Sequence, residues 1–283
     1  MAVVWAFACM LFAACNDLLF KFFASRDRGN GYFVSIVGIV WLVVALVFVG
    51  DTPQSWSATV FWGIISGLFS VGANLLMLDA MRSLEAGVCS TIYRLNLIPV
   101  TIGAALLLHE DISTLQYCGI ACACVAVCAF VPRSGSGMKK KLGWAFAVMI
   151  IASLMRAAMG LSYRYGFLHD ADEKYVVVIN SLFWIFGGLL YAWTRERSVK
   201  FENRKQVREL WLMGLLSGAL VTGIVITMAQ SLKLGSASVV LPIAQMSFLV
   251  TGALGVWLLK EKLTVVKIFA FIAGAVSIVL LSM

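Results

Sequence analysis

The sequence predicts an all-α membrane protein whose ten transmembrane helices form two inverted five-helix repeats. Three observations carry this. The 283 residues are 61% hydrophobic and only 13% charged, whereas a soluble domain is about 45–50% apolar and about 25% charged. The apolar residues fall into runs near the ~20 residues that cross a hydrocarbon core. The chain is also duplicated. Trp5-Ala6-Phe7-Ala8-Cys9-Met10 returns as Trp144-Ala145-Phe146-Ala147-Val148-Met149, and Gly63-x-x-Ser66-Gly67-x-x-x-x-Gly72 returns as Gly214-x-x-Ser217-Gly218-x-x-x-x-Gly223. The second register also sets Met77 on Met228, Ala86 on Ala237, Ile92 on Ile243, and Leu107-Leu108-x-Glu110 on Leu258-Leu259-x-Glu261.

Charges and turn residues divide the chain into predicted helices over 2–24, 31–50, 56–81, 87–108, 113–131, 142–168, 174–194, 210–232, 236–259 and 263–282. The first break is Arg26-Asp27-Arg28-Gly29-Asn30, then Asp51-Thr52-Pro53, then His109-Glu110-Asp111. The first repeat is expected over 1–131 and the second over 142–283. A flexible basic linker is expected between them over 132–141, from Arg133-Ser134-Gly135-Ser136-Gly137 and Lys139-Lys140-Lys141. No basic region precedes the first apolar run, so 2–24 reads as a retained helix and not a cleaved signal. Almost all of the chain is consumed by these runs, which leaves no room for a separate soluble domain.

An odd number of helices per repeat sends the second repeat into the membrane from the opposite side. The loops after predicted helices 1, 3, 5, 7 and 9 carry Arg26 and Arg28; Arg82; Arg133 and Lys139 to Lys141; Arg195, Arg197, Lys200, Arg204, Lys205 and Arg208; and Lys260 and Lys262. The other side carries Lys174 and Lys233 against Asp51, Glu110, Asp111, Asp170, Asp172 and Glu173. Basic loops face the cytoplasm, so both chain ends are expected outside. The net charge of +8 therefore belongs to topology and anionic membrane lipid, and no nucleic-acid partner is expected.

Ionisable residues deep in a span cost about 2.5–3.5 kcal/mol each on insertion scales and persist when paired, wetted or functional. Arg156, mid-way along predicted helix 6, is the leading candidate. Its planar guanidinium suits a carboxylate, phosphate or sulfonate, and the structural alternative is a local pair or a bond to backbone carbonyls. Asp17 falls on Arg156 in the repeat register. The two could face each other across one cavity, or Asp17 could neutralise Lys21 one turn away. Asn16 adds polarity. Arg94 lies two turns into predicted helix 4 with Tyr93, Asn96 and a helix-loosening Pro99; its counterpart is Gln245, after Pro242. Asn74, Gln230, Thr227, Asn180, Tyr163 and Arg164 complete the polar candidates, with Arg164 close enough to the helix end to snorkel. Asp79 is expected to pair at a helix end with Arg82.

The cysteines, including Cys118, Cys122, Cys124 and Cys128, read as small packing residues; no metal and no cofactor are expected. Gly63, Gly67 and Gly72, with Gly214, Gly218 and Gly223, read likewise as sites of close helix approach. His109 and His169 sit at helix ends and no catalytic motif is present, so an enzyme is not expected.

Ten helices, a five-plus-five inverted repeat, and Glu110 and Glu261 closing the fourth helix of each repeat resemble the drug/metabolite transporter superfamily, in particular its EamA-type members. The resemblance spans the whole chain. It implies secondary transport or exchange of small metabolites through a central cavity lined by the first, third and fourth helices of each repeat. It also implies both ends in the cytoplasm, opposite to the loop charges. The expected function is alternating-access transport of a small polar anionic or zwitterionic metabolite, such as an amino acid, sulfonate or phosphonate. Proton or ion coupling is left open, and a monomer or weak dimer is expected in the bacterial inner membrane. The alternative on the same scaffold is a translocase of lipid head groups or polyprenyl phosphate. Topology gives the first test: a reporter active only in the cytoplasm, fused after Met283, should stay dark, and a bright signal would reverse the assigned orientation.

Overall fold

The computed structural model describes residues 1–24, 29–48, 50, 52–108, 113–129, 136–197, 204–234, 243–281 and 283. Its principal helices are α1 (Ala2–Ala24), α2 (Asn30–Phe48), α3 (Trp56–Met81), α4 (Ala86–Arg94), α5 (Leu97–Leu108), α6 (Thr114–Ala129), α7 (Ser136–Leu168), α8 (Glu173–Arg195), α9 (Arg204–Leu234), α10 (Ser247–Leu259) and α11 (Val265–Leu281). Among the described residues six helices are long and apolar enough to cross a membrane: α1, α2, α3, α8, the Leu142–Leu168 part of α7 and the Arg204–Met228 part of α9. The rest are shorter apolar helices. All ten predicted segments contain helix, but only six form clear spans.

Two expectations about continuity are corrected. The fourth predicted helix is broken: α4 ends at Arg94, and Leu95 (φ −74°, ψ 8°) leaves α-helical geometry before α5 begins. The break returns in the second half, where Met246 (φ −71°, ψ 4°) precedes α10. The two positions are equivalent in the repeat register, and tight turns bridge both: Ile98 N–H donates to Leu95 O at 3.1 Å and Leu249 N–H to Met246 O at 2.9 Å. Pro99 therefore does not account for the break by itself, since Val250 stands at its counterpart. The basic linker, for its part, is already helical from Ser136 and continuous with α7.

Local chemistry sets several ends. Ser55 caps α3 by accepting from Ala58 N–H at 3.3 Å, and Asp172 caps α8 by accepting from Lys174 and Tyr175 N–H at 2.9 and 3.1 Å. α10 stops at Lys260, which takes the left-handed conformation (φ 55°). That turn sends Glu261 back across the bundle.

The helices pack in matched pairs. α1 lies along α9 and α7 along α3; α2 lies along α9 and α8 along α3; α2 crosses α8, and α6 lies along α11. The glycine frames are the contact surfaces. A β-carbon added at Gly63 would lie 2.8 Å from Ile179 Cδ1 and one at Gly67 2.7 Å from Phe183 Cδ2. In the other frame, Gly214 meets Ile36 Cγ2 and Gly218 meets Val40 Cβ, each at 2.6 Å. Small residues let backbones approach where lipid offers no competing hydrophobic drive. Phe23 stacks on Phe33 at 4.2 Å and Trp41 meets Trp184 edge-on at 5.5 Å.

Polar side chains join the same seams. Asn180, fully buried, donates to Ser66 Oγ at 3.1 Å between α8 and α3, and Ser217 Oγ donates to Asn16 Oδ1 at 2.7 Å between α9 and α1. Gly218→Ala should lower the thermal unfolding midpoint in detergent, since overpacking costs about 1–3 kcal/mol. Gly143→Ala, with nothing within 4 Å of the new methyl, should leave it unchanged or raise it.

Candidate functional site

The charged centre forms where α1 meets the α4 break. Asp17, buried on α1, accepts from Ser90 Oγ at 2.6 Å and from Arg94 Nη2 at 3.2 Å. A guanidinium and a hydroxyl thus answer the carboxyl directly. The expected pairing of Asp17 with Lys21 is thereby corrected: its ion-pair partner among the described residues is Arg94. Lys21 instead donates to Met81 O at 2.6 Å and Leu84 O at 2.5 Å, capping carbonyls freed at the end of α3. Lys21 therefore belongs to the end of the bundle and not to its deep lining.

Tyr93 connects the pair to the second cation. Arg94 and Arg156 each hold their guanidinium carbon 5.9 Å from the Tyr93 ring centre, within cation–π range. The Tyr93 hydroxyl is buried without a hydrogen-bond partner. Arg156 donates to Met159 Sδ at 3.4 Å, a weak acceptor. Among the described residues no carboxylate lies within ion-pair distance of Arg156. Tyr163, two turns further along α7, stacks on Phe167 at 5.7 Å.

The remaining candidates divide. Asn96 sits buried at the break, and Gln245, just before the equivalent break, has a buried Oε1 without a partner. Asn74 donates to Ser70 O at 2.9 Å and lies beside Tyr93. Asn16 and Asn180 make interhelical bonds, to Ser217 and Ser66, rather than bonds within this cluster. Thr227 donates to Gly223 O at 2.6 Å within its own helix. Gln230 lines a cavity between α2, α8 and α9. Glu110, Ala237 and Pro242, and the side chain of Arg164, lie outside the described residues.

At the basic end, Asp79 accepts from Tyr191 O–H at 2.6 Å and from Asn30 Nδ2 at 3.3 Å, while Arg82 reaches Glu196 at 3.7 Å. Sequence reasoning missed Glu196, and marked Glu261 only as the residue that closes a helix, without its role as a cap. Glu196 accepts from Asn30 and Gly31 N–H at 2.7 and 3.1 Å, capping α2; Glu261 accepts from Ala86 N–H at 2.8 Å, capping α4. Glu85, beside it, pairs with Lys267. The missed signal is that each glutamate follows a helix end, where it can reach across to an uncapped N-terminus.

Long apolar helices packed around a buried ion pair and an additional guanidinium define a multi-pass membrane protein with an ionic interior, the class to which membrane transporters belong. The model of the EamA-like transporter family matches residues 1–131 and again 143–283, and the chain belongs to that family of the drug/metabolite transporter superfamily. No curated protein matches it. One solved structure, described as "Crystal structure of protein", aligns with a TM-score of 0.64 at 16% identity over 98% of this chain and 95% of that one. At that identity the likeness speaks for the fold alone.

Burial pushes the Glu196 carboxyl above its ordinary value, with the Gly31 and Asn30 N–H groups and Arg82 pulling against it. Burial does the same to Glu261 against the Ala86 N–H. A carboxyl raised by folding binds its proton more tightly in the folded state. Its stabilising contribution is complete below the unfolded value and is lost as pH rises through the folded one. Acidifying from pH 7 towards 5 should thus raise the thermal midpoint of the wild type relative to a Glu196→Gln, Glu261→Gln double variant. Parallel curves for the two proteins would refute the assignment.

Proposed function

We propose that this chain is a secondary transporter of a small polar anionic or zwitterionic metabolite, such as an amino acid, sulfonate or phosphonate, working by alternating access. The observation that carries the reading is Arg156. It is a guanidinium inside the bundle whose nearest partners are a thioether and an aromatic face. Asp17, its equivalent in the other repeat, is already neutralised by Arg94 and Ser90. The centre thus carries one positive charge in excess, and an entering anion supplies the missing partner.

A carboxylate or sulfonate meeting Arg156 receives two parallel N–H donors. The unpartnered Tyr93 hydroxyl adds a third donor without a desolvation penalty of its own, since that group is already out of water. A quaternary amine would meet like charge and be rejected. The Asp17–Arg94 pair fixes Tyr93 between the two guanidinium groups and so positions the site.

Ten spans in an inverted repeat supply the movement in this reading. Its support is the reciprocity of the contacts: Gly63 and Gly67 receive Ile179 and Phe183, and Gly214 and Gly218 receive their register counterparts Ile36 and Val40. A protein assembled from two such interlocking halves can exchange their roles by rocking. In this reading the membrane is a bacterial inner membrane, and the loop charges favour both chain ends outside.

Arg156→Ala should abolish both anion-dependent thermal stabilisation and flux in proteoliposomes while the protein stays folded. Arg156→Lys, a point charge without the planar fork, should retain only part of each. The screen sets amino acids, sulfonates and phosphonates against quaternary amines, and wild-type flux in Arg156→Ala would remove Arg156 from the site.

A further inference from the structure

α2 and α8 cross closely and run antiparallel. Gly31 packs on Gly188 and Ala192, and Gly38 packs on Trp184 and Ile185. Ser35 Oγ ties the crossing by donating to Gly31 O and to Ile185 O, both at 2.9 Å. What lies on the two sides of this crossing differs sharply.

Towards the basic end the space is filled by polar contacts between the halves. Tyr191 O–H donates to Asp79 at 2.6 Å, and Asn30 Nδ2 donates to the same carboxylate at 3.3 Å. Glu196 takes the Asn30 and Gly31 N–H groups and holds Arg82 at 3.7 Å. Asn30 is fully buried and Glu196 is 5% exposed, so the seal is tight.

Towards the other end the α2–α8 seam borders open space. A cavity of about 340 Å³ opens there between Trp41 and Val44 of α2, Lys174 and Val177 of α8, and Thr222 and Gln230 of α9. The Trp41 indole N–H and the Thr222 hydroxyl have no protein partner.

The repeat registers make the seal and the cavity the same place seen twice. Asp79 corresponds to Gln230 in the register that sets Gly63 on Gly214. Tyr32 and Trp41 align with Tyr175 and Trp184, which sets Asn30 and Gly31 on Glu173 and Lys174, Phe48 on Tyr191, and Pro53 on Glu196. Trp184, twin of Trp41, donates to Ser70 Oγ at 2.8 Å; the residue equivalent to Ser70 is Val221. Three of the groups that build the seal are therefore exchanged at the open end: an amide stands for the carboxylate, phenylalanine for the phenol and proline for the capping glutamate, while Asn30 becomes Glu173.

We propose that Asp79, Tyr191, Glu196 and Asn30 form a latch that closes the basic end of the carrier, and that the α2–α8–α9 cavity is its opened counterpart at the other end. Rotation about the Gly31–Gly188 crossing parts the latch and closes the cavity in one movement. The chemistry makes the two ends unequal. The latched state holds charge-assisted hydrogen bonds that the opposite state lacks, so the resting protein is open at its acidic end. The inference rests on the alternating-access reading, and its test uses no substrate, so the two can fail separately.

The experiment measures maleimide labelling in detergent with the seven native cysteines replaced. One probe is Ser35→Cys, near-isosteric and buried beside the crossing; the other is Gln230→Cys, in the cavity. With the latch intact, the cavity thiol should react fast and the crossing thiol slowly. Tyr191→Phe or Glu196→Gln should speed labelling at the crossing by about 10- to 150-fold, as expected for losing one hydrogen bond to a charged group, and should leave the cavity rate equal or lower. Should Ser35→Cys fail to fold, native Cys89, fully buried on α4, is retained as the basic-end probe. Unchanged rates at both ends would overturn the latch. Equal acceleration at both ends would overturn the coupling, since that marks a loosened bundle.

Discussion

A charge held between apolar helices must be answered by another group on the protein, because neither lipid nor bulk water is there to do so. In this chain the answer for Asp17 is Arg94, with Ser90 completing the coordination. Much else follows from that pairing. It holds α4 against α1, places Arg94 at the end of a helix that breaks at Leu95, and presents the Tyr93 ring to a second guanidinium. Because Asp17 is committed, Arg156 is left among the described residues with Met159 and Tyr93, and the centre holds one guanidinium beyond the Asp17–Arg94 pair.

The same requirement explains the ends of the bundle. Helices stop with unsatisfied backbone groups, and here charged side chains from elsewhere in the chain reach over to them. Lys21 takes carbonyls at the end of α3, Glu196 takes the amides that begin α2, and Glu261 takes an amide that begins α4. These side chains do two things at once: they cap a helix and they tie one half of the molecule to the other. Their concentration at the basic end, opposite an open cavity, is what distinguishes two ends of a bundle whose helix contacts are otherwise reciprocal.

Seen together, the glycine frames and the ionic centre divide the labour. The frames repeat because both halves need the same close approach: Gly214 against Ile36 mirrors Gly63 against Ile179. The lining does not repeat, since Asp17 stands opposite Arg156 and Arg94 opposite Gln245. In the proposed transport cycle, reciprocal packing permits exchange between two arrangements, and the unequal lining and the latch at one end set which is favoured and what enters.

The helix positions were legible in the sequence alone, because apolar runs, charges and turn residues are local signals: α1 and α3 begin and end where hydrophobicity does. The glycine frames, the duplication and the small set of deep ionisable residues were legible for the same reason. Which of those residues meet was not. Asp17 and Lys21 share a helical face and look like partners, yet Lys21 points to the end of α3 and Asp17 to α4, a choice set by where neighbouring helices expose a hydroxyl, a guanidinium or free carbonyls. Nor was the capping role of Glu196 and Glu261 legible, although Glu261 stood out in the repeat, since a glutamate after a helix reads as a solvated end until the helix it caps is placed beside it. The sequence by itself determined an apolar, duplicated membrane bundle of transporter type with few charges inside. Only the tertiary structure decided that Asp17 is spent on Arg94 and Arg156 is left over, because the cost of a buried charge depends on distances across helices, which spacing along one helix does not contain.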